Sequence, residues 1–582
     1  MKFLKNILPF LVIIAVNIAL FKYSVFLRKN NFGKLYGGDH HFLTGSTIKF
    51  TKNWYYEDPR KIFFSMLENP KSIEFNSLNE RLPYVSYPPG AIVPIYLISI
   101  FLKQEPSASI VMTYNLINHF FISLTLSLIS YLLIKSINIS SFFATIFSLI
   151  PIILSLFTVG LFYFLQNIYF SDQAVILPFL LVIFFEILYD KYKNIFLLYL
   201  QFIFLTFAAF TDWCTYFLII ALLIKRLYID RNKKNTILLI ISGVIPIIFL
   251  TWQLIKLQAF KILIERFTTR VGLSGNQDDK KSFLLTFWFS HFKINFGEIG
   301  IFLYFFSLIF LISFLLIFKP KNRLFNFYLL LFTLLPLIQV YFFKNHSIVH
   351  DFSTLKFILP IALIPFVLLP IYSFKIITNN QQENKIILII AILFLSSLLF
   401  VIKIKSIYYS KDLQNMLQSI FFGLMIINPL ILSLSFKKTI KVLLIIFFIN
   451  LFLSISYLKT SFPLKNFQFK AKQDMPYELI GKSIKKCTKF EDIVFSYELD
   501  IPDRPTILIS QSMKRVYKIK SLKDIYYKIR KINKPYNIKI FYLQKPNKNY
   551  YPFVNQSGFY NCSDYYYSNL SFNFLQKILN QK

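Results

Sequence analysis

The sequence predicts an all-α polytopic membrane protein of about 13 transmembrane helices, followed by a small extracytoplasmic α/β domain. Three observations carry this. The chain is 55% hydrophobic and 19% aromatic. Many of its apolar runs reach the roughly 20 residues needed to cross about 30 Å of hydrocarbon. After residue 458 the long runs give way to short apolar stretches separated by polar ones. A formal charge of +36 would suggest nucleic acid in a soluble protein, because basic patches attract phosphate. Here it accompanies an excess of lysine, asparagine and isoleucine over alanine and glycine, a compositional drift, and part of it sets topology. No nucleic-acid partner is expected.

The first element, Ile7 to Phe26, follows Lys2 and Lys5 but has no small-residue cleavage site after it, so it reads as an uncleaved anchor. Lys and Arg gather on the cytoplasmic side of spans. Basic clusters recur at alternate ends: Lys135, Lys191 with Lys193, Lys225 to Lys234, Lys319 to Arg323, Lys375 with Lys385, and Lys437 to Lys441. Spans consistent with this fall at 7–26, 112–134, 141–165, 172–190, 195–211, 213–229, 236–254, 299–318, 326–343, 355–373, 385–402, 417–436 and 441–458. The N-terminus is then inside and the C-terminus outside. Gly90 to Leu102 is too short to cross comfortably and is expected as an interfacial helix. Trp54, Trp213, Trp252 and Trp288 fall at outer boundaries, where indoles favour the headgroup region; Lys403 and Lys405 run against the pattern.

Residues 1–458 thus form the membrane domain, with 27–111 as a long first outer loop, and 459–582 form the outer α/β domain. In the tail, "DIVFSYEL", "TILISQSM" and "NIKIFYLQ" read as strands and "SLKDIYYKIRKI" as a helix. Cys487 and Cys562 are its two cysteines and are expected to be bridged on the oxidising outer side. Cys214, at a span end, is expected as packing.

Candidate chemistry concentrates in the first outer loop, which opens "YGGDHHFLTG" (Asp39, His40, His41) and continues "RLPYVSYPPGAIVPIYL". Ionisable side chains at the surface of a membrane bundle are costly to bury and usually serve binding or catalysis. Others recur at outer span ends: Asp172 in "YFSDQ", Asp212 in "FTDW", and His346, His350 and Asp351 in "KNHSIVHDFSTLKFILP". Five of the six histidines fall in outer segments. The span interiors read as nearly free of charge. Tyr87-Pro88-Pro89 would end one element before a helix begins at Gly90.

Asp39 in the first loop, the aromatic-Pro-Pro motif at Tyr87 to Pro89, and "SDQ" at an outer span start resemble the GT-C glycosyltransferases. These are polyprenyl-phosphate-sugar-dependent membrane enzymes that include protein mannosyltransferases and lipid A aminoarabinose transferases. The resemblance implies inverting transfer of a hexosyl or pentosyl group from a polyprenyl-phosphate donor to a hydroxyl of a lipid, glycan or protein acceptor. The bacterial cytoplasmic (inner) membrane is the expected site. Asp39 would be the general base and Asp172 would orient acceptor or base. His40, Arg81, Tyr87, His346 and His350 would bind substrate, and Arg81, Arg266, Arg270, Lys344 or Lys356 would meet the leaving phosphate. Gly-Asp-His-His replaces the family's common Asp-Glu pair, which leaves a divalent metal possible but unassigned. A transporter or lipid-linked-glycan flippase, and an O-antigen ligase or polymerase-like enzyme, are the alternatives.

Overall fold

The computed structural model describes residues 2–35, 40–230, 236–273, 286–318, 323–378, 477–497, 506–519, 522–530, 532, 536–542, 560–562 and 565–570. Asp39 and the expected spans 385–402, 417–436 and 441–458 lie outside the described residues.

In hydrocarbon every backbone polar group must be satisfied within its own segment, which leaves the helix as the form for an apolar run. The expected spans that lie among the described residues accordingly appear as helices. They begin with α1 (Lys2–Arg28); the first loop then holds α2 (His41–Glu57) and α3 (Val93–Leu102). Next come α4 (Ala108–Lys135), α5 (Ser141–Ser148), α6 (Ile150–Phe157), α7 (Val159–Asn167), α8 (Ser171–Ala174), α9 (Ile176–Tyr192), α10 (Ile195–Ala209), α11 (Thr215–Ile224), α12 (Thr236–Leu257) and α13 (Phe260–Val271). The bundle continues with α14 (Lys293–Phe318), α15 (Arg323–Phe342), α16 (Lys344–Val349) and α17 (Ile358–Thr378).

Among the described residues, six helical segments are long and apolar enough to cross a bilayer: Ile7–Asn31, Ala108–Lys135, Ser171–Tyr192, Thr236–Leu257, Arg323–Phe342 and Asp351–Leu368. A seventh forms if Ser141–Phe157 and Val159–Asn167 count as one span bent by 60°. The bend sits at Thr158, whose ψ of 133° is extended. The expected span 195–211 is a shorter apolar helix, as is the segment Pro89–Leu102.

Two expectations are corrected. The span expected at 213–229 is α11 followed by a π-helical turn at Lys225–Ile229, and Lys225 and Arg226 are buried rather than solvated. The span interiors are also not free of charge: Glu186 is fully buried within α9. The two facts explain each other. Lys225 Nζ reaches Glu186 Oε1 at 2.6 Å, Asp190 Oδ1 at 2.8 Å and Asp230 Oδ2 at 2.8 Å, and Arg226 reaches Glu186 Oε2 at 2.5 Å. Gln201 donates to Glu186 at 2.7 Å, and Tyr328 donates to Asp190. Buried charges persist when they are paired and hydrogen-bonded in this way.

The tail forms a five-stranded sheet of order β2-β1-β3-β5-β4. Its strands are β1 (Asp492–Tyr497), β2 (Val516–Ile519), β3 (Asn537–Tyr542), β4 (Tyr560–Cys562) and β5 (Tyr565–Leu570). β1 runs parallel to β2 and β3, while β5 is antiparallel to β3 and β4. Side chains alternate across it. Ile493, Phe495, Ile538 and Ile540 pack with the helix Leu522–Ile529 on one face. Val494, Val516 and Phe541 pack on the other with Ile480 and Ile484, from a helix over 477–487, and with Leu508. The segment "TILISQS", expected as a strand, is the helix Thr506–Ser512. Parallel strands need a crossover rather than a tight turn, and this helix lies in the β1–β2 connection.

Candidate functional site

Asp172 stands in the first turn of the Ser171–Tyr192 span, where the Gln173 side chain accepts from the Phe170 N–H at 3.2 Å and closes the helix start. It is 3% exposed. Lys356, in the 3₁₀ turn that leads into α17, places Nζ 3.3 Å from Asp172 Oδ1 and 3.1 Å from Asp212 Oδ2. Tyr87 donates its hydroxyl hydrogen to Asp172 Oδ2 at 2.7 Å and lies 3.1 Å from His346 Nε2. Tyr87, His346 and Lys356 therefore converge on one carboxylate, and Asp212 joins it through Lys356.

Local structure explains the convergence. Pro88 is extended and Pro89 opens a 3₁₀ turn at Pro89–Ala91. Gly90 donates its N–H to the Phe210 carbonyl at 2.7 Å, an approach so close that an added Cβ would fall 2.5 Å from that oxygen. This brings the first loop against the Phe210 to Asp212 corner. Asp212 caps that corner, its Oδ1 accepting from the Cys214 N–H at 3.0 Å. Trp213 Nε1 and an Arg270 Nη atom both donate to the Ser86 carbonyl at 2.9 Å. The Arg270 guanidinium carbon lies 4.1 Å from the centroid of the Tyr87 ring.

A second layer is aromatic. His350 stacks on Phe352 with centroids 4.8 Å apart and lies 4.7 Å from the His346 ring. His40 is left-handed (φ 68°), a turn that sets its Nε2 2.8 Å from Asp351 Oδ1. Its Nδ1 is buried and has no hydrogen-bond partner among the described residues. His41 turns inward, 3% exposed, beside Tyr163.

Burial, and then the Asp172 charge, push the Tyr87 phenol well above its ordinary range, so it stays protonated and serves as a donor. Burial, and then His346, hold His350 down at about 3, so that ring is neutral. Two carboxylates, two strong cations, the Tyr87 phenol and the His346 and His350 rings can together bind an anion and hold a hydroxyl.

Of the residues expected from sequence, Tyr87, Asp172 and His346 are in direct contact; His350 and His40 adjoin them. Arg81 is not brought there. Its guanidinium is bidentate to Glu57 at 2.7 and 2.6 Å and donates to the Asn69 carbonyl at 3.0 Å, a clamp inside the first loop. Sequence offered five cations without choosing; the structure places Lys356 and Arg270 in the cluster. For a metal, Glu186, Asp190 and Asp230 could each offer one oxygen within 4.8 Å of one another. They lie at the opposite end of α9 from Asp172, and Lys225 already bridges all three.

No protein-family model and no curated protein matches the sequence. Solved structures do match. ArnT from Cupriavidus metallidurans bound to undecaprenyl phosphate is 9% identical, with 97% of this chain and 98% of that chain covered, at a TM-score of 0.52. The apo state of that ArnT is 10% identical over the same shares, with a TM-score of 0.47. The Archaeoglobus fulgidus oligosaccharyltransferase in the apo form is 10% identical, with 91% of this chain and 69% of that chain covered, at 0.49. The likeness to undecaprenyl-phosphate-bound ArnT shows that the two chains share a fold.

Proposed function

We propose that this chain is a membrane glycosyltransferase that moves a sugar, with inversion, from a polyprenyl-phosphate donor to an acceptor hydroxyl on the outer face of a cytoplasmic membrane. Residues 1–458 would be the catalytic part and 459–582 the outer domain, with the N-terminus inside. The observation that carries the reading is the buried Asp172–Lys356–Asp212 knot, with Tyr87, His346 and Arg270 around it, at the end of an apolar span. Likeness of fold to ArnT, solved with undecaprenyl phosphate, supports a donor of that class.

In this reading the acceptor oxygen bonds to the anomeric carbon as the bond from that carbon to the phosphate oxygen breaks. The polyprenyl phosphate departs with the electron pair. Arg270, Lys356 and the imidazole of His346 would meet the charge that develops on it, a form of stabilisation that is strong where water is scarce. The acceptor proton goes to a carboxylate. Asp39, next in sequence to His40, is our choice, with Asp172 orienting the acceptor through Tyr87. His40 and His350 would line the sugar's path. No step in this scheme needs a metal ion.

Asp39→Asn keeps size and removes the proton acceptor. Purified, reconstituted Asp39→Asn protein is expected to bind donor and to transfer sugar about 10²–10⁴-fold more slowly. Mass spectrometry of envelope glycans and lipids with and without the protein identifies the acceptor to use. Transfer by Asp39→Asn at the unmodified rate would remove that residue from the mechanism.

A further inference from the structure

The tail domain touches the membrane domain through α2, and α2 also packs on the chain that leads to Asp172. On the tail side, Lys52 is 4% exposed and its Nζ reaches Glu105 Oε1 at 2.6 Å and the Ser510 carbonyl at 2.8 Å. Glu105 takes a second lysine, Lys485, at 2.7 Å. One carboxylate thus ties together α2, the α3–α4 connection and the 477–487 helix of the tail. Glu478 accepts from the Leu35 N–H at 3.2 Å. Ile507 packs into a cluster with Leu35, Ile48, Ala91 and Ile95, and a Cβ on Gly45 would sit 3.4 Å from it.

The other side of α2 grips the chain that leads to Asp172. Thr44 donates to the Asn167 carbonyl at 2.7 Å and Thr47 to the Tyr169 carbonyl at 2.6 Å. The helix begins at His40, which has no side-chain cap and pairs instead with Asp351. An isolated helix of 17 residues is marginal in water, so its placement is set by what it packs on. The buried lysine makes that placement specific, because an ammonium out of water needs its carboxylate.

We infer that the tail domain positions the polar cluster by holding α2, and that Glu105, shared by Lys52 and Lys485, is the positioning residue. The inference rests on the glycosyl-transfer reading, since the cluster's work is what suffers when α2 shifts. A displacement of about 1 Å in a catalytic group costs on the order of 10²-fold in rate.

The test uses the full-length protein with Glu105→Gln, Glu105→Asp and Lys485→Gln. It measures kcat and donor KM, and amide hydrogen exchange over α2 and over β1. Glu105→Gln should lower kcat by about 10-fold to 10²-fold with donor KM nearly unchanged, and should speed exchange in α2 but not in β1. Glu105→Asp should restore most of the rate, and Lys485→Gln should shift both readouts the same way by less. Unchanged kcat and exchange in Glu105→Gln overturn the inference. So does faster exchange in α2 and β1 alike with no rescue by Asp, which marks a merely structural residue. If Glu105→Gln does not fold, Lys485→Gln, whose side chain is partly exposed, decides by the same criteria. A wild-type protein without transfer activity would sink the glycosyl-transfer reading instead, and the exchange data would still judge the clasp.

Discussion

Lys356 shows how a single side chain decides the electrostatics of a buried site. It lies 184 residues from Asp172 and 144 from Asp212 along the chain, yet bonds to both. Removing it leaves two carboxylates out of water with no cation between them. Lys356→Met is therefore expected to cost about 3–5 kcal/mol of stability, read as a lower unfolding temperature in detergent, and the added change Asp212→Asn should recover part of it. His350 gives a pH signature. It is held at about 3 in the fold, with burial as the first cause, whereas an unfolded histidine titrates near 6.5. The unfolded chain then binds more protons across that interval. The stability His350 contributes is present above pH ~6.5 and lost as pH falls toward 3. Between pH 7.5 and 5, wild type should lose more unfolding temperature than His350→Gln, and equal losses would count against this. Asp172, Tyr87, His346 and His350 were legible in sequence because polar residues at span ends are conspicuous. The roles of Asp212, Lys356 and Arg81 were not, because local sequence does not say which distant charge a side chain will meet. Asp212 stood out only as an acid at a span end, and the structure gives it both a capping bond and a share of Lys356.

At the scale of elements, apolar runs located most described spans to within a few residues, since hydrocarbon leaves little choice but helix. The misreadings have specific causes. The run containing Lys225 and Arg226 read as the inner, basic end of a span, because partners supplied by α9 cannot be seen locally. "TILISQS" looked like a strand because short apolar runs suit either form; the parallel pairing of β1 with β2 gives it the helical reading. The tail invites a covalent test. Cys487 packs beside the cluster of Ile480 and Ile484, and Cys562 pairs with Tyr565 at the end of β4. We expect a disulfide between them, closing about 75 residues and worth about 4 kcal/mol in the chain-entropy model. Alkylation under denaturing conditions without reductant should leave both thiols unmodified; labelling of both would exclude the bridge. Cys214, buried and free, should also resist labelling until the protein is unfolded.

For the whole molecule, a polytopic helical architecture with a small α/β tail was legible from the apolar runs and the change of composition after residue 458, and the likeness of fold to ArnT covers 97% of the chain. The dependence of the site on a shared helix was not, because it arises from packing between segments hundreds of residues apart. The span Ser171–Tyr192 carries Asp172 near one end and Glu186 and Asp190 near the other. From Asp172 to Asp190 is about 27 Å at 1.5 Å per residue, close to the thickness of the hydrocarbon layer. Each end is knotted to other helices by ion pairs, so this strut can neither lengthen nor slide without breaking buried charge pairs. Its length then sets the bilayer thickness that suits both knots. A thicker bilayer would draw one knot or the other into hydrocarbon, at a cost of fractions of a kcal/mol per ångström of mismatch. Reconstituted into lipids of graded acyl length, the protein should therefore be most thermostable near a hydrocarbon thickness of ~27–30 Å and lose stability on either side, whereas a flat profile would mean that the two knots do not constrain the bundle.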